Sequence, residues 1–238
     1  MPQRLNILEQ SAYRYRAIKR RIIATYDSLL IRMYCLVRFL IIPMRMMDSI
    51  GQFVPERGTV LDLGCGFGLF TLYYAMTHPE ARFVGVDLSD RRIALARNSA
   101  RKLGLSNVEF LQGDARAAVR HMQQRFNLVF SIDLFHHIPY ADGDALAQSI
   151  HDQLLGADGA WVLKDVSTKP RAMLYFTFLL DWLMNPRDAF FYRNLSVWKA
   201  NARNIGYASV ETFEVWDVLP YPHFLLVARK SGGEGQPR

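Results

Sequence analysis

Three glycines at two-residue spacing, Gly64, Gly66 and Gly68, follow the apolar run Val60–Leu63 and precede a helix-forming stretch from Leu69. Glycine allows positive φ and lets a ligand press against the main chain. A helix beginning directly after such a loop offers free N–H groups and the positive end of its dipole. With Asp62 and Leu63 leading in and Cys65 between the glycines, the stretch reads as a nucleotide-type cofactor cradle at the end of a first parallel strand. A second strand over Arg82–Val86 ends at Asp87-Leu88, about twenty residues beyond the loop. An acid there is placed to accept hydrogen bonds from two ribose hydroxyls.

Further polar residues fall just past strand ends, where an open α/β sheet forms its ligand crevice. Asp114-Ala115 follows a third strand, Val108–Leu111, and Asp114 could also cap the next helix. A fourth strand, Phe126–Ile132, empties into Asp133-Leu134-Phe135-His136-His137, and a fifth, Trp161–Asp165, ends in Lys164-Asp165. A last strand is expected at His223–Ala228, after a connection that contains Tyr221. His136, His137, Asp165, Tyr221 and His223 are thus the candidate proton acceptors, and none stands out. Asp165 has an alternative as a buried salt link. The tandem histidines do not read as metal ligands, because neighbouring side chains are expected to point apart and no further donors stand at ligand spacing. Helices are expected over Phe70–Thr77, Arg91–Leu103, Ala141–Leu155 and Ser196–Ile205, with a turn at 156–159.

Val60–Gly68 resembles the Asp-x-Gly-x-Gly-x-Gly loop of class I S-adenosylmethionine-dependent methyltransferases, and differs from the Gly-x-Gly-x-x-Gly of hydride-transfer folds. Val84–Ser89, Gly113–Ala115, Phe126–Pro139 and Ala157–Asp165 follow in the family's order. The resemblance implies an α/β, Rossmann-like seven-stranded sheet of order 3-2-1-4-5-7-6 whose last strand is antiparallel. It also implies S-adenosylmethionine as methyl donor, held by Asp62, Leu63, Gly64, Cys65, Gly66, Gly68, Asp87, Leu88, Asp114, Ala115 and Asp133, with Asp114 meeting the adenine amine. The second half, with Lys164-Asp165 and an aromatic insert, is also similar to methyltransferases accompanying aryl-polyene pigments.

Charge and hydropathy place the rest. The chain has 238 residues and a formal net charge of +7. Residues 1–45 hold nine Lys/Arg against Glu9 and Asp27, which accounts for that whole excess. Domain boundaries are expected at 1–56 (a basic helical cap or arm), 57–230 (the catalytic domain) and 231–238 (a disordered tail). The arm reads as a polar lead-in to about residue 15 and a helix over Tyr15–Met47 broken at Pro43. Its wheel is apolar except for a stripe of Asp27, Tyr34, Arg38 and Arg45, so it needs cover on most sides, from the domain or from an anionic membrane. The 167–196 insert, apolar over Ala172–Met184, reads as a lid over the acceptor, a homodimer face or a membrane contact.

A neutral catalytic body argues against nucleic acid, and aromatic residues near the site favour an apolar, aromatic or lipid-like acceptor. The rival readings are an RNA methyltransferase gripping through the arm and a binding module without turnover. Cys35 and Cys65 read as buried thiols of a reducing cytoplasm. With no signal peptide and no spanning segment apparent, the expected location is cytoplasmic, extending to the inner face of the membrane.

Overall fold

The computed structural model describes residues 7–117, 122–184, 188–215 and 221–231. Apolar runs buried on both faces form the middle of its sheet, as a parallel sheet covered by helices requires. In β1 (Gly58–Leu63) and β4 (Phe126–Ile132), Val60, Leu61, Leu63, Leu128, Val129 and Phe130 have no solvent exposure. β2 (Ala81–Asp87) and β3 (Val108–Gln112) extend the sheet to one side. β5 (Leu155–Val166), β7 (His223–Arg229) and β6 (Ser209–Val215) extend it to the other. The order is β3-β2-β1-β4-β5-β7-β6, with β7 antiparallel to both neighbours, as the resemblance implied. The chain leaves β1 toward β2 on one side and later returns to β4 on the other. A crevice therefore opens beyond the ends of these two strands.

α4 (Leu69–Thr77) follows β1 directly, with Gly68 in the left-handed region at φ 78°. A Cβ at Gly68 would meet Phe110 Cζ at 2.7 Å, so the glycine serves backbone shape and helix–strand packing together. α5 (Asp90–Leu103) starts at Ser89, whose hydroxyl accepts the Arg92 N–H, and stops at Gly104 with φ 69°. α6 (Tyr140–Ser149) ends in a widened turn over Ile150–Leu154. α7 (Arg171–Met184) and α8 (Leu195–Ile205) complete the catalytic region.

Several expectations need correction. The N-terminal region is three helices, α1 (Ile7–Ala24), α2 (Leu29–Ile41) and α3 (Met44–Gly51), rather than one with a single break. The extra break has a tertiary cause. The Thr25 hydroxyl donates to the Ile22 carbonyl at 2.6 Å and accepts from the Ser99 hydroxyl at 2.8 Å, while the Tyr26 hydroxyl donates to the Phe67 carbonyl at 2.7 Å. Partners far along the chain thus hold the corner. Residues 156–159 belong to β5, where pairing jumps from Phe126–Leu155 to Leu128–Ala160 and leaves the intervening residues as a bulge.

The N-terminal helices are not an appendage. Ile22, Phe39, Ile42, Met46, Met47 and Ile50 join α4 and one face of the sheet in a single hydrophobic core. Cys35 and Cys65 are buried thiols. No helix among the described residues is long and apolar enough to cross a membrane. Most of the expected tail, from residue 232, and residues 216–220 lie outside the described residues.

Candidate active site

The strand ends enclose a cavity of about 610 Å³, within the range of small-molecule sites. Asp62, Gly64, Cys65, Gly66, Asp87, Leu88, Asp114 and Ala115 line one half. Asp133, His136, His137, Tyr221 and His223 line the other. Leu63, Gly68 and Asp165, also expected at the site, do not line it. Leu63 is buried in the sheet, Gly68 faces Phe110, and Asp165 stands behind His136.

In the glycine half the loop is tied to β2. The Gly64 and Cys65 N–H groups both donate to the Val86 carbonyl, at 2.8 and 2.9 Å, so neither is available to a ligand. The Gly66 N–H donates to Asp87 Oδ2 at 2.9 Å, and the Ser89 N–H to Oδ1 at 2.9 Å. Asp87 therefore sets the loop's shape as well as facing the cavity. Gly66 itself has φ 56°, and a Cβ there would meet nothing within 4 Å. The loop holds a left-handed turn open toward the cavity at this point, the room that a cofactor backbone needs. Asp62 accepts the Thr71 hydroxyl at 2.5 Å, and burial pushes its carboxyl up to about 7. Asp114 uses both oxygens on Arg116, including Oδ1 for the Arg116 N–H at 2.9 Å, so it caps the helical turn at Ala115, its alternative role.

The other half is built around two buried carboxylates. Asp133 has the one positive φ among described non-glycine residues, 55°. One of its oxygens takes Lys164 Nζ and the other Arg38 Nη1 at 2.9 Å. Burial opposes its charge, but these two cations hold the carboxyl well below the usual range. Asp165 Oδ1 lies 2.5 Å from His136 Nδ1, and Oδ2 accepts the His136 N–H at 3.2 Å. Burial alone would lower the His136 pKa; Asp165, with Asp181 and Asp133 beyond, raises it above the ordinary imidazole value. His137 and His223 are pushed down to about 3, in each case chiefly by burial. Burial also raises the Tyr221 hydroxyl, whose ring stacks on His223 at 5.0 Å. Among the five candidates only His136 combines a carboxylate partner with raised basicity.

The expectation that the tandem histidines point apart fails. Phe135–His137 forms a tight 3-10 turn, and the two rings lie 4.3 Å apart. Oxygen and nitrogen atoms of Asp133, His136 and Asp165 also come within 4.8 Å of one another. This set does not fit a metal ion, because Lys164 and Arg38 already neutralise Asp133 and Asp165 is engaged by His136.

Several residues at the site were missed from sequence, four of them polar residues of α2 and the insert. Tyr34 and Arg38 reach the cavity from α2, and Asp181 and Asp188 from the insert. Asp181 Oδ2 accepts the Tyr192 hydroxyl at 2.6 Å, and Tyr192 stacks on His136 at 5.4 Å. A signal existed for three of them: Tyr34 and Arg38 lie in the polar stripe of an otherwise apolar helix, and Asp181 is the only charged residue in Ala172–Met184.

This strand order, with a glycine loop after β1 and an acid ending β2, defines an S-adenosylmethionine-binding, Rossmann-like class of protein. Residues 60–155 match the family model described as a methyltransferase domain. A ubiquinone biosynthesis O-methyltransferase of Leptothrix cholodnii is 30% identical over 116 residues, 48% of this chain and 47% of that protein. The protein of the same description from Pseudomonas paraeruginosa is 26% identical over 152 residues, 60% of this chain and 63% of its own length. Each match thus spans less than two thirds of the relative. Magnesium protoporphyrin IX methyltransferase of Synechocystis, solved with SAH bound, shares the fold: TM-score 0.63 at 16% identity, covering 93% and 94% of the two chains. The matched domain, these relatives and the shared fold together support a class I S-adenosylmethionine-dependent methyltransferase, whose cofactor the glycine half fits.

Proposed function

We propose that the protein methylates a hydroxyl group on an apolar or aromatic acceptor, with His136 removing the proton. The observation that carries this reading is the buried His136–Asp165 pair beside the cavity, across from the glycine loop. S-adenosylmethionine would supply a methyl group on a good leaving group, and Asp62, Gly66 and Asp87 are the residues placed to hold it. The protein's own task is to orient the acceptor, exclude water and accept a proton. The methyl carbon would be given up to the acceptor oxygen with loss of the donor's sulfur–methyl bond. The hydroxyl proton passes to His136 Nε2, and Asp165 stabilises the imidazolium that results.

The surroundings suit an apolar or aromatic acceptor. Phe190 lies 5.4 Å from the His137 ring and stacks with Tyr192 at 6.0 Å, backing the histidines with an aromatic wall. The relatives described as O-methyltransferases favour oxygen as the methylated atom.

The test follows SAH release with a panel of phenols, catechols, fatty hydroxy compounds, amines and short RNAs. Release with a hydroxyl acceptor is expected, falling about 10²- to 10⁴-fold in His136→Gln. Turnover of amines or RNA alone, or an unchanged rate in the variant, overturns the reading.

A further inference from the structure

Two helices beside the cavity leave apolar faces uncovered. On α2, Leu29, Leu30, Met33, Leu36, Val37 and Leu40 recur at helical spacing and are exposed, Leu30 at 78%. On α7, Tyr175, Phe178, Leu179, Trp182 and Leu183 form a second stripe, with Tyr175 exposed at 72%. The requirement for cover on most sides, read from the arm's sequence, is therefore unmet in the isolated chain. Each helix also turns polar residues inward to the same cavity: Tyr34 and Arg38 from α2, Asp181 from α7. The two uncovered stripes thus belong to walls of one site.

We propose that these two stripes are a membrane-docking surface, and that their occupant is a bilayer containing anionic lipid. Charge argues for this partner. Neither stripe contains an acid, since Asp181 faces the cavity. Exposed cations stand at the helix ends: Arg45 beyond α2, and Lys169 and Arg171 at the start of α7. Arg16, Arg20 and Arg21 are exposed on α1, next in the chain. Apolar stripes bordered by Arg and Lys, with Tyr and Trp among them, match the boundary between acyl chains and anionic head groups. A symmetric contact with a second copy would instead bring these like charges together. At 13 and 14 residues α2 and α7 are suited to lying in the interface, not to spanning it. An apolar acceptor could then enter from the lipid without crossing water, a step that rests on the acceptor reading above.

Sedimentation with phosphatidylcholine vesicles, with and without about 30% phosphatidylglycerol, tests the surface on the full chain. Binding is expected only with phosphatidylglycerol, weakening with salt, and Trp182 emission should be quenched by brominated acyl chains. Leu36→Ser/Leu40→Ser should weaken partitioning at least about tenfold, given the apolar burial each leucine loses. These residues are exposed, so far-UV circular dichroism and donor binding should match the parent. Absence of vesicle binding, or binding indifferent to the double substitution, overturns the proposal. So does a dimer in sedimentation equilibrium that the substitution abolishes while vesicles go unbound. The measurement needs no turnover, so it fails separately from the acceptor reading.

Discussion

Replacing Asp165 by Asn isolates the charge that the proposed proton transfer needs. The carboxylate sits 2.5 Å from His136 Nδ1 and also accepts the His136 and Val166 N–H groups. An amide oxygen at the Oδ1 position can keep the ring and Val166 contacts; the amide nitrogen gives up only the longer 3.2 Å bond from the His136 N–H, and the charge is lost. Hydrogen bonds to charged groups contribute about 1.5–3 kcal/mol against about 0.5–1.5 for neutral ones. The direct Coulomb attraction is about 4 kcal/mol at an effective dielectric of 20 if the delocalised charges are centred about 4 Å apart. Asp181, with an oxygen 3.7 Å from His136 Nε2, and Asp133 remain to support the imidazolium, which favours the lower part of the range. A loss of about 2–3 kcal/mol follows, roughly 30- to 150-fold in kcat. The pH profile supplies the second readout. The base must be neutral to act, so parent activity falls as pH drops through the raised His136 pKa. Removing the Asp165 charge lowers that pKa and moves the acid limb to lower pH as the plateau drops. Initial rates at saturating donor from about pH 5 to about pH 9 measure both. An unchanged plateau with an unmoved limb would refute His136 as the base. Lost donor affinity would show that Asp165 only supports the fold.

Asp87→Ala should weaken donor binding about 10²- to 10⁴-fold, from two lost charge-assisted hydrogen bonds, and should also loosen the loop because Gly66 loses its acceptor. Calorimetry and amide exchange at residues 64–68 check the two effects. Lys164→Met leaves Asp133 with Arg38 alone, and urea unfolding should show a loss of about 3 kcal/mol, the lower end for a broken buried pair. Stability should fall as pH drops from about 6.5 toward 3, because buried His223, with its folded pKa pushed down to about 3, must otherwise take a proton. His136 acts in the opposite sense, its contribution being lost as pH rises through its folded pKa. The urea midpoint of His223→Phe should therefore depend less on acid than the parent's.

The legible parts of the fold were those set by neighbours in sequence. Strand β4 was read at its true limits from an unbroken β-rich run, and Ser89 and Gly104 marked α5 because caps act within a turn. The glycine loop was visible for the same reason. What the loop's N–H groups do was not, because their acceptor Val86 belongs to another strand. The corner at Thr25–Tyr26 depends on Ser99 and Phe67, and the bulge in β5 on its register with β4. Sequence also placed five proton acceptors at one rim without ranking them. Their ranking comes from burial and partners: Asp165 directly behind His136, against burial beside the Lys164 cation for His223. Arg38 and Asp181 arrive from segments outside the strand–helix rhythm, so no strand-end rule pointed to them.

The central claim is that the hollow beyond β1, closed by Asp87, binds an adenosyl sulfonium compound. Calorimetry of the full chain with S-adenosylmethionine and SAH tests it most directly, with Gly66→Val, which places a side chain in the open turn, as the paired variant. Saturable one-to-one binding by the parent, abolished in the variant at unchanged circular dichroism, is the predicted result. No heat from either compound, or equal affinity in both proteins, would contradict it.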